Sequence, residues 1–326
     1  MSGDMQRIIS IDIARALCMI WIVAFWHLGP RLGYNIQKDV CYETITYISL
    51  AAFTFYSGLF LGKKEISAFD FYKKRFIRFY PLFFMVCVLM YMSHGGIKSL
   101  LHLFYALTGL SIFIPPHTPV LWYMDMLLVF YVITPVMLES KYLTIGGGKT
   151  VNILIRAFIL YSLFYVMSCY TRMEGILQYF PFYIVGMIIP INSVQIGSFK
   201  RCIALATTMT VWLIIILLLI IKYGLFRDLY VEELLNVCGV FLIIAVTNIV
   251  EKKANSRVLE LFSILSYASL TAYLLHNMCF GIFKAISSDA DGTIPIYMAP
   301  MILVIIFVVS YYVQKLYDKL VFKMSK

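Results

Sequence analysis

Apolar stretches long enough to cross a bilayer follow one another along almost the whole chain. They run at 11–28, 43–62, 79–95, 120–139, 151–169, 176–192, 202–221, 231–250, 260–284 and 296–314. A hydrocarbon core about 30 Å thick takes roughly 17–25 helical residues. A backbone surrounded by lipid must also satisfy its own hydrogen bonds, which a helix does within one segment. The pattern predicts an all-α polytopic membrane protein with about ten transmembrane helices in one bundle. Composition agrees: 62% of the 326 residues are hydrophobic and 13% are charged, against about 45–50% and about 25% in soluble domains.

An eleventh apolar stretch, Leu100–Ile114, is shorter and is followed by Pro115, Pro116 and Pro119. Charge argues against its crossing. With the amino terminus in the cytoplasm and ten crossings, the outer segments hold only Arg31, Lys38, Lys98, Arg172, Lys222 and Arg227 of the 27 Lys and Arg. Arg15, Arg156 and Lys284 lie within or at the ends of spans, and the rest face the cytoplasm. An eleventh crossing would move most of these to the outside, against the positive-inside tendency. Both termini are therefore expected in the cytoplasm, and 94–119 as an extracytoplasmic or re-entrant segment that must pack against protein wherever it reaches membrane depth.

The same distribution accounts for the net charge of +10. The basic residues sit in short loops, where they set topology, so a nucleic-acid partner is not expected. The seven cysteines are scattered without CxxC spacing, which speaks against a disulfide framework or a zinc site, and no metal is expected. The first apolar stretch carries Asp12 and Arg15 and lacks a small-x-small cleavage pattern, so it reads as an uncleaved span. With no internal repeat and no low-complexity tract, residues 1–326 read as a single transmembrane domain.

Four constellations stand out against the apolar background. Asp12, Arg15 and His27 lie in the first span, where ionisable side chains are costly and mark functional sites. Asp12 and Arg15, three apart, share a helix face. On a regular helix His27 lies about 18 Å further along and about 120° away from Arg15. An imidazole is the usual general base for an alcohol at neutral pH, although a helix-end histidine and a snorkelling arginine are the plainer reading. The second constellation is Lys73-Lys74-Arg75-Phe76-Ile77-Arg78-Phe79-Tyr80-Pro81. Its Arg75 and Arg78 share a face and suit a polyphosphate, while a basic anchor for topology or lipid headgroups explains the same residues.

The third is Leu121-Trp122-Tyr123-Met124-Asp125, in which an acid beside two amphipathic rings is placed to orient a polar ligand, or the rings simply form an interfacial belt. The fourth runs from Ser266 through Ser269, Thr271 and Tyr273 to His276, a row of polar groups that lines a cavity or serves as interhelical glue. Glu232 and Glu233, near the outer end of their span, fit a polar acceptor or a wetted helix end.

Taken in order, these residues resemble the acyltransferase-3 family of membrane acyltransferases. Asp12, Arg15 and His27 resemble its first-helix Asp-x-x-Arg…His signature, and Ala52-Phe53-Thr54-Phe55-Tyr56-Ser57-Gly58 its second-helix Ser-Gly element. Arg75-Phe76-Ile77-Arg78-Phe79-Tyr80-Pro81 matches the Arg-x-x-Arg-x-x-Pro element. Leu121-Trp122-Tyr123, Phe180-Pro181-Phe182-Tyr183-Ile184-Val185-Gly186 and Tyr273-Leu274-Leu275-His276 resemble later landmarks. In one respect the chain departs: the family usually has ten residues between the arginine and the histidine, and here eleven intervene, Ala16 to Trp26. A single π-bulge, common at functional sites, would restore the register.

The resemblance implies an O-acyltransferase, most simply an acetyltransferase, in a bacterial cytoplasmic (inner) membrane. Acyl-CoA (acetyl-CoA) is the implied donor, its phosphates held by Lys74, Arg75 and Arg78. A carbohydrate or glycan is the implied acceptor, met by Trp122, Asp125, Tyr273 and His276. His27 would act as base, with Asp12 and Arg15 positioning the donor or polarising its carbonyl. A transporter or exporter of a polar glycan or small molecule is the alternative that ten charged-core spans also permit.

Overall fold

The computed structural model describes residues 8–34, 39–61, 67–93, 97–118, 120–138, 148–171, 174–224, 229–287 and 293–324. Among the charges used for topology, Arg7, Lys38, Lys63, Lys64, Lys141, Arg172, Arg227 and Lys326 lie outside the described residues, as do 94–96 and Pro119 of the 94–119 segment.

Every described element is helical. α1 (Ile9–Ile20) continues as a π-helical turn, Trp21–His27, and a 3-10 turn, Gly29–Leu32. There follow α2 (Val40–Leu59), α3 (Ala68–Met92), α4 (Leu100–Thr108), α5 (Trp122–Leu138), α6 (Lys149–Ser168) and α7 (Glu174–Ile188). The chain closes with α8 (Phe199–Tyr223), α9 (Leu229–Lys253), α10 (Ser256–Ser287) and α11 (Ala299–Met324). Each of the ten apolar stretches falls on a helix. By length and composition, seven helical stretches among the described residues suffice to cross a membrane: Ile9–Leu32, Ala68–Met92, Lys149–Ser168, Phe199–Tyr223, Tyr230–Lys253, Ser256–Ile286 and Ile296–Val321. Trp122–Leu138 and Gly175–Ile188 are apolar but shorter. α2 falls in neither group; Glu43, Thr44, Thr46, Ser49, Thr54 and Ser57 dilute its hydropathy.

Local chemistry sets the ends. Ser67 caps α3, accepting from the Asp70 backbone N–H at 3.2 Å, and Ser99 caps α4 in the same way through His102. α4 stops where Gly109 takes a left-handed conformation (φ 73°). Its nine residues rise only about 14 Å, at 1.5 Å each.

Contacts divide the chain into two compact units where the sequence reads as one: residues 1–53, 191–273 and 287–312, and residues 54–190, 274–286 and 313–326. The division falls inside α2, α10 and α11. In the first unit α9 packs on α8, through Leu235 and Cys238 against Ile216 and Ile220, and also on α1. Asn248 of α9 ties down the 3-10 turn Ile191–Val194, donating to the Val194 carbonyl at 2.8 Å and accepting from the Ile196 N–H at 2.9 Å.

In the second unit α2 and α7 cross at two glycines. A Cβ on Gly58 would lie 2.1 Å from the Tyr183 carbonyl oxygen, and one on Gly186 would lie 2.1 Å from that of Phe55. The backbones touch, as small residues allow in membrane helices.

One proline within a helix leaves a carbonyl that another element collects. Pro81 sits inside α3 and has no N–H for the Ile77 carbonyl one turn back; the Tyr317 hydroxyl of α11 donates to that oxygen instead. In the second half of α5, Tyr72 donates to the Val132 carbonyl at 2.6 Å, and the buried Arg156 donates at 2.9 Å to that of Met137, one of the last carbonyls of the helix, which have no partner within it.

Candidate active site

The first-span charges are held from α10. Ser266 donates to an Asp12 carboxylate oxygen at 2.7 Å, and Arg15 donates to the Ser269 hydroxyl at 2.9 Å. Both serines are buried and both charged residues are half-buried. Each pair advances by three residues on both helices, so α1 and α10 run parallel and in register. Of the polar row read from the sequence, these two hydroxyls engage the charges directly. Tyr273, 3% exposed, follows one turn beyond Ser269.

Between Arg15 and His27 the helix is not regular. Trp21–His27 is π-helical, and the Leu28 N–H reaches five residues back, to the Val23 carbonyl at 3.2 Å. A π-turn absorbs one residue. The twelve steps from Arg15 then rotate as eleven, leaving His27 within about 20° of Arg15 and about 16 Å along the axis. The regular-helix expectation of about 120° is corrected by this turn.

Both ends of the turn are anchored. Trp21 stacks on Phe25 (4.9 Å) and Tyr42 (5.5 Å), and its indole donates to Thr46 at 3.0 Å. At the other end Arg31 donates to the His27 carbonyl at 2.6 Å, and its own carbonyl accepts from Ile294 at 2.8 Å. His27 itself is half-buried.

The basic residues of α3 belong to the second unit. The Arg75 guanidinium lies over the rings of Phe71 (5.9 Å) and Tyr131 (5.3 Å), an arrangement that suits a weakly hydrated planar cation. Lys74 and Arg78 are exposed. The Tyr317 contact at Ile77 falls between the two arginines.

Two residues before α5 the backbone is strained at Val120, with φ 69°, a conformation that β-branched residues rarely adopt. Trp122 packs against Gly175, whose Cβ position is 3.0 Å from the indole, and lies 6.2 Å from the Tyr179 ring. Tyr123 shares a hydrogen bond with Thr54 at 3.0 Å. Asp125 is 0% exposed. Ser111 donates to one of its carboxylate oxygens and in turn accepts from Thr118 at 2.8 Å. The other oxygen has no hydrogen-bond partner among the described residues. His276, also 0% exposed, meets Phe280 edge-on at 5.6 Å.

Asp12, Arg15, His27 and Tyr273 thus lie in one unit, and Lys74, Arg75, Arg78, Trp122, Asp125 and His276 in the other. Sequence reasoning missed Arg31 as the cap of the His27 turn, although its spacing of four was a usable signal. It also missed Tyr317, which no local pattern announces. Among the described residues no group of three His, Cys, Asp or Glu is placed to hold a metal.

In comparison with known proteins, residues 8–314 match the family model of an acyltransferase domain, acyltransferase-3. No curated protein and no solved structure matches the chain.

Proposed function

The chain belongs to the acyltransferase-3 family, and on that premise we propose that it is a multi-pass O-acyltransferase of a bacterial inner membrane. It takes an acyl group, acetyl in the simplest case, from cytoplasmic acyl-CoA and delivers it to a hydroxyl of a surface or exported carbohydrate. The observation that carries this reading is the π-turn, which brings His27 onto the face of an Arg15 held in place by α10.

In this reading His27 takes the proton of the acceptor hydroxyl as its oxygen attacks the thioester carbonyl. Arg15, fixed by Ser269 and accompanied by Asp12, polarises the carbonyl and receives the charge that builds on its oxygen. The tetrahedral adduct collapses, the thiolate leaves, and the proton on His27 passes to it, so the products are ester and free CoA. Lys74, Arg75 and Arg78 bind the donor phosphates, the first and last exposed and Arg75 pre-set by its rings. Trp122, Asp125, Tyr273 and His276 serve the acceptor.

Ten crossings with both termini in the cytoplasm are part of the proposal. The parallel run of α1 and α10 supports that parity, because an eleventh crossing at 94–119 would make the two antiparallel. α3 and α5 support it too, with Tyr72 at Val132 and Arg75 at Tyr131.

The test is thiol release from acetyl-CoA by purified protein supplied with acceptor glycan. His27→Ala is expected to lose about 10²–10⁴-fold in rate, the usual worth of a positioned base, and Arg78→Ala to raise the donor KM. Equal release by wild type and both variants would sink the assignment.

A further inference from the structure

Two asparagines of α9 behave in opposite ways. Asn248 is saturated: its amide nitrogen donates to Val194 and Ile244 at 2.8 and 2.7 Å, and its oxygen accepts from Ile196. Asn236 is 0% exposed, yet neither its amide oxygen nor its amide nitrogen has a hydrogen-bond partner among the described residues. A buried amide with both groups unmet is costly, and because buried polar groups are nearly always bonded, this one calls for a partner.

Contacts fix the depth of Asn236 within the first unit. α1 and α2 run antiparallel, with Trp21 at Thr46 and Cys18 at Ser49. Ile48 is therefore level with about Met19. Gly239 of α9 admits Ile48, since a Cβ there would lie 2.4 Å from Ile48 Cγ1. α9 runs against α1, because only two residues separate it from α10, which runs with α1. At 1.5 Å per residue, Asn236 lies about 4.5 Å from Gly239 toward the His27 end, and Glu233 and Glu232 about 9–10.5 Å. His27, with one residue absorbed by the π-turn, lies about 10.5 Å beyond Met19. The two half-buried glutamates are level with His27, and Asn236 is one turn deeper, toward Arg15. Three and four residues before Asn236, both share its helix face.

We infer that Glu232, Glu233 and Asn236 form a subsite that reads the hydroxyls of a polyhydroxylic acceptor, a sugar, at the depth of His27. The donor and acceptor counts match. A sugar hydroxyl donates one bond and accepts others; the carboxylates only accept, and the amide does both. Asn236 then finds its partners in the acceptor, and the glutamates hold neighbouring hydroxyls one turn away, at the level of His27. The assignment deepens the proposed function and rests on it, because it uses His27 as the base.

The experiment uses membranes from a deletion strain carrying wild type, Asn236→Leu or Asn248→Leu, with endogenous glycan as acceptor and labelled acetyl-CoA titrated as donor; melting temperatures are read on the purified proteins. Asn236→Leu is expected to melt higher than wild type, since an unmet amide is replaced by a methyl pair of similar size. It is also expected to transfer about tenfold more slowly at unchanged donor KM, the worth of one lost hydrogen bond. Asn248→Leu should melt lower, having lost three bonds. Wild-type transfer by Asn236→Leu, or a lowered melting point, overturns the subsite alone. Membranes in which wild type transfers no more than the deletion strain overturn the acyltransferase proposal, and the subsite with it.

Discussion

Ser266 and Ser269 divide the support of the first-span charges between them, each holding one, so each has a separable effect. Ser269→Ala removes a charge-assisted bond worth about 1.5–3 kcal/mol from Arg15. Turnover is expected to fall roughly tenfold or more, with recovery in Ser269→Thr, both followed by thiol release. His102, 2% exposed, offers a test of a different kind. Burial pushes its imidazole below the ordinary value, with Lys98 and His117 nearby contributing. The unfolded chain then binds the proton more readily than the folded one, so the histidine costs nothing above about pH 6.5 and destabilises as pH falls below it. Wild-type melting temperature should drop through that acid range, and His102→Gln should flatten the drop. At this scale the sequence exposed the charges, since Asp12, Arg15 and His27 are conspicuous in apolar surroundings. Their partners stayed hidden because serines are common on membrane helices, and only the fold says which two face the charges. Asp125 was legible as an acid beside Trp122, but its bond to Ser111 was not, as the two stand fourteen positions apart on different elements.

The π-turn is the element whose behaviour is easiest to test. Deleting Ala24 leaves ten residues between Arg15 and His27 and lets the turn relax to a regular α-helix, with His27 still on the Arg15 face; activity should survive. Inserting one alanine after Ala24 exceeds what one π-turn absorbs and rotates His27 by about 100°, and thiol release should be lost. The two outcomes together separate register from mere disturbance. The α2–α7 crossing makes a second test. Gly58→Ala or Gly186→Ala drives a methyl into a carbonyl, at a cost of about 3 kcal/mol or more, read as lowered melting temperature and yield. Gly281→Ala, whose Cβ meets nothing within 4 Å, should be neutral or slightly stabilising. The spacing in the first span pointed to the bulge because a count of residues is a count of rotation. The meeting of Ser57-Gly58 with the Gly186 motif was beyond reach, since two glycine positions say that something comes close without saying what.

For the whole molecule, the all-helical fold was legible from the apolar runs, each of which falls on a helix. The division into two units was not, because it falls inside three helices and leaves no break in composition. Topology is open to direct test. Alkaline phosphatase fused after Lys98 is expected to be active and after Lys253 inactive, and green fluorescent protein fused after Lys326 to fluoresce. Activity after Lys253 would reverse the assigned orientation.

The grip of Tyr317 on Ile77 has a bearing on how the protein is handled. A chain stopped at Lys315 would keep every motif recognised in its sequence and still lose the latch that steadies the two arginines on either side of Ile77. If Lys74, Arg75 and Arg78 hold the donor as proposed, such a truncation is expected to raise the donor KM without removing any of the residues that carry the chemistry.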